Sequence, residues 1–264
     1  MLFQSLAIGL KGGVQLSMAD PARIAWPAVA TLGLGAGMAV GVFFIMAKLV
    51  RLGRADAAAF AAHYGSASAV TFAAALAAVQ RTGAAYEGFL PVLLVILEIP
   101  AILVAIFLHR MGAHSGRSAG YAEIIHEVAL NRSVFLLLAG IVVGAAVGPA
   151  RFEPFEPLFV GAFKPILAFF VLEMGLLAAH RLPELRRHGA RIVTAALLIP
   201  LAGGALGGWA GLAAGLTPGG ATVLATLAAS ASYIAAPAAV RLAIPEANTG
   251  MCVAAALGIT YDAW

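Results

Sequence analysis

Between Ala57 and Val79 the chain is apolar, yet its middle reads His63-Tyr64-Gly65-Ser66-Ala67-Ser68-Ala69-Val70-Thr71. A second apolar run, Thr222–Ala243, carries Ala229-Ser230-Ala231-Ser232-Tyr233. Residues of these types can strip a small anion of its water. Backbone N–H groups at the N-terminus of a broken helix supply fixed donors, and the helix dipole adds a positive potential. Ser and Thr hydroxyls add donors and acceptors that rotate to fit. Carbonyls freed at the same break, with the hydroxyls, can hold sodium. Ser66, Ser68 and Thr71 on one side and Ser230 and Ser232 on the other meet that need. Pro237, five residues after Ser232, favours a break in the second run. The competing reading is that each serine bonds the carbonyl four residues back and packs.

Glu98 is the sharpest single residue. It sits near the middle of the apolar run Phe89–Leu108, just before Ile99-Pro100. An ionisable group at that depth is expensive and points to function. Glu98 can bind sodium, accept a proton, or pair with Lys11 or Lys164. Glu173 is a weaker case near the end of another run, and Asp262 stands at the place equivalent to Glu98 in a second copy of the pattern described below. Glu98, Ser68, Thr71 and Ser232 are the candidate sodium ligands, and no organic cofactor and no other metal is expected. His109, His114 and His126 lack a recurrent ligand spacing and read as solvated loop histidines. His63 and Ser66 are three apart on a helix and so can touch, but no acid stands near to orient the base. There is no paired-histidine zinc motif, no phosphate loop and no cysteine near a histidine. The reading is therefore not an enzyme.

What must position these residues is a membrane scaffold. Of 264 residues, 62% are hydrophobic and 11% charged, and mean hydropathy is +0.97. A soluble domain is nearer half apolar and a quarter charged. The net charge of +4 is spread through short loops and does not mark nucleic-acid binding. Cys252, the one cysteine, lies in an apolar run and has no partner for a disulfide. The start of the chain lacks the basic region and cleavage site of a signal peptide. About 20 apolar residues cross a bilayer as a helix. The candidate spans are Met1–Leu16, short and interrupted by Lys11-Gly12-Gly13, then Trp26–Val50, Ala57–Val79 and Phe89–Leu108. After a polar interval they continue as Ser133–Ala150, Leu158–Ala179, Ile192–Leu216, Thr222–Ala243 and a last run from Met251. Glycines four apart at 33/37/41, 140/144/148 and 203/207/211 predict close helix packing.

The two serine stretches lie 164 residues apart, and the same offset carries Trp26–Val50 onto Ala190–Ala214. The runs thus pair in order as two copies of a five-helix unit. Residues 1–108 form the first repeat, 109–132 a cytoplasmic linker, and 133–264 the second repeat. On this pairing the first helix and much of the last are missing. Tyr121–Leu130 within the linker has the spacing of a short surface helix. An odd number of helices turns the second unit over, giving an inverted repeat. Alternating the loops puts eleven basic residues on one side, including Lys48, Arg54, Arg110, Arg186 and Arg241. The other side holds three, Arg23, Arg81 and Arg151. The rich side is expected to be cytoplasmic.

The motifs Leu10-Lys11-Gly12-Gly13, His63 to Phe72, Leu97-Glu98-Ile99-Pro100 and Ala229 to Tyr233, running on to Arg241-Leu242-Ala243-Ile244-Pro245-Glu246-Ala247-Asn248, resemble those of the sodium-dependent bicarbonate transporter family. The resemblance covers essentially the whole chain. It implies an all-helical membrane protein of two inverted five-helix repeats with discontinuous helices, a homo-oligomer in the form of a trimer, and bicarbonate uptake driven by inward sodium flow. It places substrate at Gly65, Ser66, Ser68 and Thr71 with Ser230 and Ser232, and offers a cytoplasmic PII-like regulator as partner. The expected location is the cell inner membrane, multi-pass. The alternatives are a transporter of another small monoanion or carboxylate, and a non-transporting membrane sensor or scaffold.

Overall fold

The computed structural model describes residues 2–111, 121–130, 132–163, 165–169, 172, 176, 189–233 and 235–260. Lys164, Glu173, Asp262 and His114 fall outside them, so the expectations resting on these residues do too. No strand occurs among the described residues. Five helical stretches there are long and apolar enough to cross a membrane: Pro21–Val50, Arg54–Thr82, Leu90–Arg110, Val134–Phe155 and Ala190–Ala213.

Helix α1 (Leu2–Met18) is continuous, contrary to the expected interruption at Lys11-Gly12-Gly13. Packing overrides the weak helix propensity of glycine. A Cβ on Gly13 would strike the Ile141 carbonyl, and one on Gly12 would strike Pro91. α2 (Pro21–Phe44) starts earlier than expected, because Asp20 caps it by accepting from Ala22 N–H at 3.0 Å and Pro21 suits its first turn. A π-helical turn, Ile45–Val50, extends it. Then come α3 (Arg54–Gly65) and α4 (Ala69–Thr82), the two halves of one span. α5 (Leu90–Arg110) follows, then the short α6 (Tyr121–Leu130) foreseen in the linker, and α7 (Arg132–Phe152). Of the expected span Leu158–Ala179, a π-helical turn at Pro157–Gly161 and helical residues 165–169 are described. The second half closes with α8 (Ala190–Ala213), α9 (Pro218–Ala228), α10 (Ala235–Ala243) and α11 (Thr249–Ala255).

α5 runs two residues past Leu108, which corrects the reading of His109. It is not a solvated loop residue but a buried one, with Nε2 3.1 Å from Glu246 Oε1. Arg54 donates to the His109 carbonyl at 3.0 Å and also to that of Leu108, closing the helix end. His126 is exposed on α6.

The glycine rows divide. Gly140 and Gly144 press on the α1 backbone, and Gly203, Gly207 and Gly211 press on α9. Gly33, Gly37 and Gly41 have nothing within 4 Å of a would-be Cβ, and line an open groove between α2 and α8. Gly148 serves a kink, with φ 69° ahead of Pro149. Equal spacing fixes a shared face, not what stands opposite it. Gly144→Val is therefore expected to cost about 1–3 kcal/mol or more by overpacking, and to broaden or aggregate the peak in detergent size-exclusion. Gly37→Val should leave peak shape and melting midpoint unchanged.

Most of the core falls into two apolar clusters, beside a third, small one of Leu10, Val14 and Phe152 between α1 and α7. One gathers Phe60, Tyr64, Ile102, Ala235, Val240 and their neighbours around α3 and α10. The other gathers Phe72, Val79, Leu94, Val223, Leu224 and their neighbours around α4 and α9. The polar breaks in the two discontinuous spans lie where these clusters meet.

Candidate functional site

The first break is short. Helix α3 ends at Gly65, Ser66 is extended (φ −113°, ψ 162°), Ser68 is extended (φ −124°, ψ 137°), and α4 starts at Ala69. Gly65 is needed because the break presses on α2: a Cβ there would lie 2.9 Å from the Ala39 side chain. The second break separates α9 from α10. Pro237 is not at it. The proline is the third residue of α10, inside the first turn, where its missing N–H has no intrahelical partner to lose.

Within each break the two serines divide the work in the same way. The first of each pair faces backwards: Ser66 Oγ donates to the Ala62 carbonyl at 2.6 Å, and Ser230 Oγ to the Leu227 carbonyl at 2.8 Å. The second faces forwards as a cap: Ser68 Oγ accepts from Val70 N–H at 3.3 Å, and Ser232 Oγ from Ala236 N–H at 3.4 Å. So the bond to the carbonyl four residues back anticipated for membrane serines holds for Ser66, Ser230 bonds the carbonyl three back instead, and Ser68 and Ser232 act as caps. All four are buried, as is Thr71 on the first turn of α4.

The breaks touch. Ser232 N–H donates to the His63 carbonyl at 2.7 Å, and the Tyr233 side chain interacts with Ser68. The spans cross antiparallel. Gly219, at the start of α9, abuts Val79 and the Ala85 carbonyl beyond the far end of α4. Asn248 N–H, just after α10, donates to Asp56 Oδ1 near the start of α3 at 2.8 Å. The starting ends of α4 and α10 therefore lie together at the crossing. A helix start leaves N–H groups without intrahelical acceptors and carries the positive end of the dipole. Two such starts, each capped by a hydroxyl that can rotate to donate, have the donors an anion cradle would need. The carbonyl ends of α3 and α9 lie at the same level and offer oxygen ligands.

His63 and Ser66 do not act as a pair. His63 Nδ1 bonds the Ala59 carbonyl at 2.7 Å, and Ser66 bonds Ala62. Tyr64 reaches far along the chain, with its hydroxyl 3.0 Å from Thr260 Oγ1. Thr260 in turn donates to the Ala196 carbonyl at 3.3 Å. No local pattern in the sequence foretells a contact of that range. Tyr233 was likewise not singled out, although it directly follows the Ser-Ala-Ser core.

Glu98 is 5% exposed on α5. The helix continues through Pro100 rather than breaking. Among the described residues Glu98 makes no ion pair and no hydrogen bond to the serines, so Lys11 does not neutralise it. No His/Cys/Asp/Glu cluster suited to a metal occurs among the described residues.

Compared with known proteins, the chain matches one family over residues 1–263. No individual curated protein matches it. The family match covers the crossing, both flanking halves and Glu98, and several apolar helices make the chain a multi-pass membrane protein. The chain belongs to the Na+-dependent bicarbonate transporter superfamily.

Proposed function

We propose that this chain is a secondary transporter that takes up bicarbonate with sodium, by alternating access around the crossing of the two broken spans. The matched breaks carry the reading. Two half-helix starts meet in a buried, low-dielectric place, where fixed N–H donors replace hydration at no reorganisation cost. Bicarbonate would lie at Gly65, Ser66, Ser68 and Thr71 with Ser230 and Ser232. Sodium would lie beside it, held by Glu98, Ser68, Thr71 and Ser232. Residues 1–108 and 133–264 would be inverted repeats, and one bundle would move against the other. The arginine-rich loops would face the cytoplasm across an inner membrane, in a homo-oligomer on the family's trimeric pattern, with a PII-like regulator docking there.

N–H donors alone do not separate bicarbonate from other monoanions, so the test must. Purified full chain in proteoliposomes is given labelled bicarbonate under an inward sodium gradient. Accumulation that collapses when sodium is equalised is the expected result. No uptake at any sodium level overturns the reading, and sodium-driven uptake of formate or nitrate in preference to bicarbonate replaces the substrate.

A further inference from the structure

We propose that a cavity between α1, α4 and the corner leading into α5 is a second anion site, an antechamber whose charge is Lys11 and whose ligand is a small oxyanion. The inference rests on the transport reading, since its purpose is to gather substrate before the crossing. The cavity measures about 220 Å3, several times the roughly 30 Å3 share of one water. Its polar lining is Lys11, Gln15, Gln80, Tyr86 and Glu87, and Phe72 and Leu76 are among its apolar walls. It follows α4 from Phe72 to Gln80, about 12 Å at helical rise. Phe72 is one turn from the crossing, its N–H donating to the Ser68 carbonyl at 3.0 Å.

The charge balance decides the ligand. Lys11 sits in mid-helix with apolar neighbours, and no ion pair or hydrogen bond reaches it among the described residues. A lysine at membrane depth is costly unless water or a counter-ion meets it. Glu87 is in the same lining but is committed elsewhere. Its Oε1 accepts the Thr217 N–H at 2.7 Å, and Thr217 Oγ1 caps α9 through Gly220 N–H at 3.2 Å. Glycine at position 220 leaves room for the carboxylate against that first turn. The start of α9 offsets part of that negative charge, the second oxygen of Glu87 has no hydrogen-bond partner, and no ion pair joins it to Lys11 among the described residues.

Neutral donors complete the site. Gln80 Nε2 donates to Tyr86 Oη at 2.9 Å, which leaves the tyrosine hydroxyl hydrogen free to donate. The Gln15 amide adds two more N–H groups. One ammonium and these neutral donors suit an oxyanion bearing a single charge, with the Glu87 carboxylate held toward the start of α9 by its bond from Thr217 N–H. By the distribution of basic residues this end of α4 faces away from the arginine-rich loops, so the antechamber would open to the outside.

Two measurements on the reconstituted full chain test this. In Ala77→Cys, a thiol on the cavity wall is treated with anionic and cationic methanethiosulfonates of similar size. The one native thiol, Cys252, is fully buried and serves as the silent control. The anionic reagent should react faster, and adding Lys11→Gln should shift the anionic-to-cationic rate ratio by about tenfold toward the cation. Bicarbonate should slow labelling only where Lys11 is present. In uptake assays Lys11→Gln should raise the apparent KM about tenfold with the maximal rate unchanged, and Lys11→Arg should restore it. A rate ratio indifferent to Lys11 overturns the antechamber even if uptake is normal. A charge effect with bicarbonate protection, in protein that transports nothing, upholds the antechamber as an anion site and sinks the transport reading instead.

Discussion

Ser68→Ala and Ser232→Ala should each bring uptake of labelled bicarbonate down to that of empty vesicles, with the protein still folded and membrane-inserted. Both serines are buried at the crossing, and both cap the half-helix that follows them. Loss of an N-cap costs about 1 kcal/mol, which a packed membrane protein tolerates. The functional loss is larger for a structural reason. In the resting site each hydroxyl accepts from its own helix. If an anion took over the amide, the hydroxyl would be free to rotate and donate to it, which alanine cannot do. Alanine also leaves the cradle without the oxygen that sodium would share. Ser66→Ala and Ser230→Ala are the internal comparison. Their hydroxyls already donate to carbonyls of the preceding half-helices, so removing them costs one hydrogen bond of about 1 kcal/mol. The expected change is severalfold in apparent KM with uptake retained. Detergent size-exclusion and melting midpoints check folding in all four. Full uptake by both Ser68→Ala and Ser232→Ala moves the site away from the crossing.

The discontinuous spans were legible in the sequence because hydroxyls and glycine inside an apolar run have few uses other than at a break. Two such stretches at a fixed offset then point to each other. The details that escaped were those set by tertiary partners. Pro237 marks a helix start rather than the gap before it, and a proline permits both. Gly12 and Gly13 look like helix breakers until Pro91 and the α7 backbone stand against them. Gly33, Gly37 and Gly41 have the same spacing as the packed rows but face an open groove. His109 reads as loop on hydropathy alone, since nothing local shows that Arg54 and Glu246 will close over it. The contact of Tyr64 with Thr260 joins distant parts of the chain and has no signature at either end. Composition and periodicity record which face is apolar. They do not record which partner meets it.

Glu98→Gln should abolish sodium-driven uptake without lowering stability, and that combination separates a ligand from a structural charge. The carboxylate is buried on α5. Pro100 lies two residues on inside the same helix, and has no N–H to give the carbonyl of Ile96 four residues before it. A buried carboxylate with no ion-pair partner among the described residues supplies oxygen ligands suited to sodium. Sodium that binds only the folded form raises stability by about 2.7 kcal/mol at a hundredfold excess over its Kd. The melting midpoint of the unmutated chain should therefore climb with sodium and not with choline, and that of Glu98→Gln should be flat. Without sodium the variant should melt no lower, because a buried neutral amide of the same shape costs less to desolvate than a carboxylate. The alternatives give different patterns. A proton acceptor would make uptake follow a pH gradient in the absence of sodium. A buried ion pair with Lys164 would make Glu98→Gln destabilising by about 3–5 kcal/mol, since it strands the partner charge. A sodium-dependent midpoint that survives in Glu98→Gln rules this residue out as the ligand and leaves the hydroxyls and carbonyls of the crossing to hold the ion alone.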